Sequence, residues 1–75
     1  MYIYESHMGD DLYISYEPID YEYLYCEQCG DSDRLVGYAD TREEAWNLLK
    51  DITDINGSGG WDYDYVQEFL KNWDV

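Results

Sequence analysis

Positive charge is what this sequence has least of. Only 4 of its 75 residues are lysine or arginine, against 18 aspartates and glutamates, and the formal net charge is -14. A chain this acidic is repelled by DNA, RNA and anionic membranes, so direct binding to nucleic acid or to a membrane is not expected. Self-repulsion also destabilises a fold, which favours a role for the negative field in attracting a positively charged partner.

Long apolar runs and histidine are also scarce. No apolar stretch approaches the roughly 18 residues that span a bilayer, and the N-terminal MYIYESH has neither the basic start nor the apolar stretch of a signal peptide. We therefore expect a cytoplasmic protein. With a single histidine and few serines, none placed as nucleophile and base, the chain is not expected to be an enzyme.

Aromatic residues, by contrast, are plentiful. They make up 19% of the chain, ten of them are tyrosines, and the hydrophobic set reaches 45%. Low hydrophobicity with high net charge usually indicates disorder, but this supply of core material favours a folded protein. A chain of this size buries only about 60% of the surface of its unfolded form. We therefore expect one small acidic domain spanning residues 1–75.

The first half of the chain predicts strands. Residues Tyr2 to Glu5 and Leu12 to Glu17 form a hairpin by composition, with a turn at residues 8–11. Tyr21 to Cys26 and Leu35 to Ala39 are expected to continue it as an antiparallel meander. The predicted sheet thus has three or four strands.

The second half predicts two helices. Thr41 and Glu44 form the pattern of a capping box at the start of a helix over residues 41–52. After a glycine-rich break, an amphipathic stripe from Trp61 to Trp73 predicts the second helix. The expected fold class is α+β, with a three- or four-stranded antiparallel sheet followed by two helices packed on one face.

The two cysteines form a Cys-x-x-Cys-Gly step. Two thiolates presented by a tight turn with this spacing are typical of a zinc knuckle. A complete structural site needs four ligands; His7 is the candidate third, with an aspartate as the fourth, or two chains could pool their cysteines in a homodimer. Thiol redox chemistry and two ordinary cysteines stay open as other interpretations. The expected cofactor is therefore none or zinc, with Cys26, Cys29 and His7 as candidate ligands.

The acidic residues fall in clusters that suit a basic partner. Same-face side chains are about 6.6 Å apart on a strand, and about 5 to 6 Å apart on successive helical turns. Both spacings can imitate the regular charges of a nucleic-acid backbone, so the expected partner is a basic nucleic-acid-binding protein. Surface tyrosines would serve as interface anchors. The candidate partner-binding residues are Asp10, Asp11, Glu17, Asp20, Glu22, Glu27, Asp31, Asp33, Asp40, Glu43, Glu44, Asp51, Asp54, Tyr21 and Tyr23.

The segments YEPIDYEYLY, residues 16–25, and CEQCGDSD, residues 26–33, together with the size and charge of the whole chain, resemble a known type of protein. These are the short acidic proteins with which phages and other mobile elements disarm bacterial defences, including anti-CRISPR proteins and DNA-mimic inhibitors. The resemblance covers composition and assigns no residue role. It implies a non-enzymatic inhibitor of a CRISPR effector or other defence enzyme, acting in the host cell cytoplasm.

Two other functions stay open. The chain could be a small zinc-knuckle module for protein–protein interaction, whose acidic residues keep it soluble. It could also be an acidic regulator that masks one cognate basic partner. Sequence does not separate the regulator from the inhibitor.

Overall fold

A computed structural model describes residues 1–7, 11–28, 30–57 and 59–73 of the chain. The chain divides into two compact units, residues 1–38 and residues 39–75. A three-stranded antiparallel sheet in the first is followed along the sequence by two helices in the second, which confirms the predicted α+β class.

The first unit contains a three-stranded sheet, a two-stranded hairpin and one short helical turn. In chain order the elements are β1 (Tyr2–Glu5), β2 (Leu12–Ser15), α1 (Tyr21–Leu24), β3 (Tyr25–Cys26), β4 (Asp31–Ser32) and β5 (Arg34–Tyr38).

Strand β1 lies at the centre of the three-stranded sheet. It pairs antiparallel with β2 on one edge and with β5 on the other, and a bulge interrupts the β5 pairing between Ile3 and Tyr4. The predicted meander is therefore wrong in its strand order. Residues 21–26, which were expected to pair beside β2, begin as the helical turn α1. Strand β5 pairs with the other edge of β1 instead.

Strand β1 also carries the most deeply buried residues of the first unit. Ile3 and Tyr4 are consecutive and both buried, so side chains on both faces of the strand are shielded from solvent. The Tyr4 ring stacks on Tyr13 of β2 at 5.5 Å between centroids. The Tyr4 hydroxyl accepts a hydrogen bond from the Ile19 N–H at 2.9 Å, which ties the loop after β2 to the sheet.

Residues 21–24, predicted as part of a strand, form α1 instead. The Tyr25 N–H donates to the Tyr21 carbonyl, and the two rings stack with centroids 5.9 Å apart. Residues four apart on a strand are separated by roughly 13 Å, so this stacking is available only to the helical turn. Tyr21 and Tyr23 are 66% and 76% exposed. The alternating tyrosines that suggested a strand are therefore not buried along one face of a sheet.

The second unit contains both predicted helices. Each continues beyond its α-helical part as a short 3₁₀ helix, and a two-residue parallel bridge joins the segments between them. In chain order the elements are α2 (Arg42–Leu49) with the 3₁₀ helix Lys50–Ile52, β6 (Thr53–Asp54), β7 (Trp61–Asp62), and α3 (Tyr63–Leu70) with the 3₁₀ helix Lys71–Trp73.

Side-chain caps fix where both helices begin. The Thr41 hydroxyl accepts the Glu44 N–H at 3.2 Å, as the predicted capping box requires. The Asp62 carboxylate accepts the Tyr65 N–H at 3.2 Å, so the second helix begins after Asp62 rather than at Trp61. Trp61 lies in β7, where it pairs with Thr53.

Gly60 provides a test of the link between the two bridged segments. Its φ is +122°, and a Cβ built there would lie 2.5 Å from the Ile52 carbonyl oxygen, a backbone atom that cannot easily move. We expect Gly60→Ala to lower the free energy of unfolding by about 2 to 4 kcal/mol. Gly59→Ala is the matched control, because its φ of +91° is also positive but its Cβ would meet open space.

The control should cost only backbone strain, about 1 kcal/mol. Urea unfolding followed by tryptophan fluorescence would compare the two variants. Equal losses at Gly59 and Gly60 would show that the close approach to Ile52 does not constrain this loop.

Candidate functional site

Exposed acidic and aromatic side chains are interleaved along residues 16–25, which we call the acidic tyrosine segment. Tyr16, Tyr21 and Tyr23 are 81%, 66% and 76% exposed. Glu17, Asp20 and Glu22 lie between or beside them and are also exposed. The segment thus presents carboxylates and large flat rings to solvent along one short stretch of chain.

The start of the acidic tyrosine segment is held by local hydrogen bonds. Strand β2 ends at Ser15, whose hydroxyl donates to the Glu17 carbonyl at 2.5 Å and accepts the Glu17 N–H at 3.3 Å. This turn takes Tyr16 out of the sheet, and its ring is exposed. The bond from Ile19 to Tyr4 then anchors the middle of the segment.

Negative charge on the first unit is almost uncompensated. Residues 1–33 contain no lysine or arginine. The first basic residue, Arg34, pairs with Glu5 at 3.0 Å between its guanidinium and the carboxylate. The gap in basic residues can be read directly from the sequence, and it is the sequence signal that best locates this surface.

The structure places most of the predicted partner-binding residues at the surface, and they occur in both units. Asp33 is an exception because it is only 19% exposed and its carboxylate is occupied by other residues of the first unit. Asp54 is partly buried and accepts the Gly57 N–H at 2.8 Å, and Asp10 lies outside the described residues. The exposed members are Asp11, Glu17, Asp20, Tyr21, Glu22, Tyr23, Glu27 and Asp31 in the first unit and Asp40, Glu43, Glu44 and Asp51 in the second.

Asp33 is the centre of a second cluster in the first unit. One of its carboxylate oxygens accepts from the His7 backbone N–H at 2.9 Å and lies 2.5 Å from His7 Nδ1. The other oxygen accepts the Tyr13 hydroxyl at 2.5 Å. The Asp33 N–H donates to the Leu24 carbonyl at 3.0 Å. The cluster therefore joins the chain beyond β1, strand β2 and the β3–β4 hairpin.

These contacts shift the pKa of each member of the cluster. The hydrogen bond with Asp33 raises the pKa of His7, and the nearby Cys26 side chain adds to the rise as a charge and as a hydrogen-bond partner. Burial alone would raise the pKa of Asp33, but the bonds from Tyr13 and His7 outweigh it and lower that pKa. Burial, and then donation to Asp33, hold the pKa of Tyr13 well above its usual range.

Of the three predicted metal ligands, His7 and Cys26 interact to the extent that Cys26 contributes to the raised pKa of His7. The third, Cys29, lies outside the described residues. Within the described ranges, no group of three or more His, Cys, Asp or Glu side chains is placed to hold a metal ion. Tyr13 was missed as a member of the cluster, because nothing in the local sequence indicates its hydrogen bond to Asp33, 20 residues away.

No protein family, curated protein or solved structure matches this chain. Across the part of the chain that the structure describes, no helix is both long enough and apolar enough to cross a membrane.

The His7–Asp33 pair predicts a defined dependence of stability on pH. Because the folded-state pKa of His7 is raised above 6.5, its protonated form stabilises the fold below that pH. The contribution is lost as the pH rises through the folded-state pKa. Asp33 has a pKa lowered from 3.8, so its contribution is present above that value and is lost as the pH falls through the lowered pKa.

We therefore expect His7→Gln to reduce the free energy of unfolding more at about pH 5.5 than at about pH 8.5. Urea unfolding of both proteins, with a chelator present, would measure the difference at each pH. Taking the difference in the free energy of unfolding between the two proteins removes the general effect of net charge, which both chains share. A difference that stays constant across this range would mean that the pair does not form.

Proposed function

We propose that this protein is a non-enzymatic inhibitor that binds the nucleic-acid-binding surface of a basic protein, such as a CRISPR effector or another defence enzyme. The supporting observation is the acidic tyrosine segment, in which exposed carboxylates and rings alternate in a unit whose first 33 residues contain no lysine or arginine. We further propose that it acts in the cytoplasm, where such enzymes work.

The exposed tyrosine rings would imitate nucleic-acid bases, as the carboxylates imitate phosphates. Proteins that bind single-stranded nucleic acid combine a positively charged groove with aromatic side chains on which bases stack. In the acidic tyrosine segment, Glu22 could stand for a phosphate, while the exposed rings of Tyr21 and Tyr23 on either side of it offer the flat faces of bases. A carboxylate that pairs with arginine or lysine in the groove forms a charge-assisted hydrogen bond, as a phosphate does.

Exposed tyrosines also suit a protein interface on general grounds. A tyrosine gives a large contact area and a hydroxyl for few rotatable bonds, and tyrosine is enriched among the residues that dominate binding energy. Tyr16 is 81% exposed, so its ring contributes little to the core. Burying rings of this kind against a partner would supply affinity that the carboxylates alone do not.

The proposal can be tested by displacement of nucleic acid from purified target enzymes. Fluorescently labelled guide RNA or DNA is bound to a panel of CRISPR effectors and restriction enzymes, and the chain is titrated in. We expect displacement from at least one enzyme. In the triple variant Glu17→Gln, Asp20→Asn, Glu22→Gln, the affinity for that enzyme should fall by about 10- to 100-fold.

A second triple variant, Asp40→Asn, Glu43→Gln, Asp51→Asn, is the matched control because it removes the same number of exposed charges from the second unit. We expect it to change affinity by less than about 3-fold, through the overall field alone. Equal losses in the two variants would show that the acidic tyrosine segment is not the interface. Failure to displace nucleic acid from any enzyme of the panel would contradict the proposed class of target.

Salt should affect the two rate constants of binding differently. Raising the salt concentration from about 0.1 M to about 1 M shortens the screening length from about 10 Å to about 3 Å. The association rate should fall steeply because long-range attraction is screened, while the dissociation rate should change much less. Stopped-flow or surface-based kinetics would measure both. An association rate that does not respond to salt would rule out electrostatic mimicry.

A further inference from the structure

A cavity of about 360 Å³ is lined by both helices of the second unit, and the proposed inhibitor surface does not use it. The residues that α3 contributes recur after four and then three positions, so they share one face of that helix. The volume falls within the roughly 300 to 1,000 Å³ of sites that bind small molecules. The lining residues are Arg42, Glu43 and Trp46 of α2 and Tyr63, Gln67 and Leu70 of α3.

Two aromatic rings meet at nearly a right angle in the wall of this cavity. The centroids of the Trp46 and Tyr63 rings are 5.9 Å apart, and the angle between the ring planes is 87°. Both rings reach solvent, since Tyr63 is 46% exposed and Trp46 is partly exposed. The face of an aromatic ring attracts cations, and tryptophan does so most strongly. The pair therefore supplies two walls of the kind of aromatic cage that binds quaternary ammonium groups.

The charges around the cavity favour a cation over an anion. Glu43 is exposed and lies three positions before Trp46 on α2, so the two side chains are neighbours on the helix surface. Residues 39–75 contain nine acidic residues and three basic ones, so the field of this unit attracts positive charge. Arg42 brings one positive charge to the lining, but it already interacts with another part of the protein.

The rest of the lining suits an organic cation better than a metal ion. Ca²⁺ takes roughly six to eight oxygen ligands, whereas the oxygen atoms here come from Glu43, the Gln67 amide and the Tyr63 hydroxyl. Leu70 is 1% exposed and gives the cavity an apolar surface that belongs to the core. An ammonium ion whose hydrogens are replaced by methyl groups needs few hydrogen-bond acceptors. It binds through contact of its methyl groups with ring faces and apolar side chains.

We propose that this cavity binds a small organic cation that carries a methylated ammonium group. The ammonium group lies against the rings of Trp46 and Tyr63 and near the carboxylate of Glu43, while its methyl groups contact Leu70. Binding is reversible and involves no reaction. The site belongs to the second unit and does not depend on the proposed inhibitor function, so either can fail without the other.

The test uses choline as the probe and follows the signals of the tryptophan indole N–H groups by NMR. The chain has three tryptophans, so Trp61 and Trp73, which do not line the cavity, serve as internal references. We expect choline chloride to shift the Trp46 signal until it saturates, and sodium chloride at equal concentration to have no such effect. The neutral alcohol with a tert-butyl group in place of the trimethylammonium group has the same shape, and it should bind at least about 10-fold more weakly.

Variants of the lining test the role of each group, with backbone amide signals of α3 as the readout. Trp46→Leu should weaken choline binding by about 10- to 30-fold, because it removes the stronger of the two ring faces. Glu43→Gln should weaken it by about 3- to 10-fold. Asp51→Asn is the matched control for Glu43→Gln, since it removes an exposed carboxylate that does not line the cavity. It should change the affinity by less than about 2-fold.

The sign of the effect at Arg42 separates a cation site from an anion site. Arg42→Gln should leave choline binding unchanged or strengthen it, because it removes a like charge from the lining. Circular dichroism of Trp46→Leu would show that weaker binding is not loss of fold. The proposal is overturned if choline shifts Trp46 no more than sodium chloride does, or if the neutral alcohol binds equally well. Equal effects of Glu43→Gln and Asp51→Asn, or weaker binding by Arg42→Gln, would also overturn it.

Discussion

The carboxylate of Asp33 is the interaction on which the first unit depends. It accepts hydrogen bonds from the His7 N–H, two residues beyond strand β1, and from the Tyr13 hydroxyl of β2, while the Asp33 backbone N–H donates to the Leu24 carbonyl at the end of α1. A carboxylate that is only 19% exposed loses much of its hydration, and these donors replace it. Removing either donor would leave a partly buried charge less well satisfied, so two segments of chain are committed to one side chain and a third is bonded to the backbone of the same residue.

Local features of the fold could be predicted from the sequence, because they depend on residues a few positions apart. The cap between Thr41 and Glu44 and the stripe of α3 are of this kind. The pairing of β5 with β1 could not be predicted, since it depends on which strand edge remains free after the hairpin forms. The short helix α1 was missed because tyrosines at alternate positions are typical of a strand with one buried face. The sequence does not show that these tyrosines are exposed.

The same distinction holds for the candidate sites. Composition predicted an acidic surface with spare tyrosines, and most of the residues chosen for it are exposed, while their role in binding stays a prediction. Composition could not show that the Asp33 carboxylate is engaged while Glu17 is exposed, because the partners of Asp33, His7 and Tyr13, lie 26 and 20 residues away in sequence. The influence of Cys26 on the pKa of His7 likewise joins residues far apart in sequence, which no short motif encodes.

The acidic tyrosine segment is attached to the fold by very few of its own side chains. The Ile19 N–H and the Ser15 turn hold its backbone, whereas Glu22 and Tyr23 project into solvent. Substitutions at such positions alter the charge and shape of the surface at little cost to folding. The composition of this segment can therefore change in evolution while the sheet and hairpin of the same unit remain as they are.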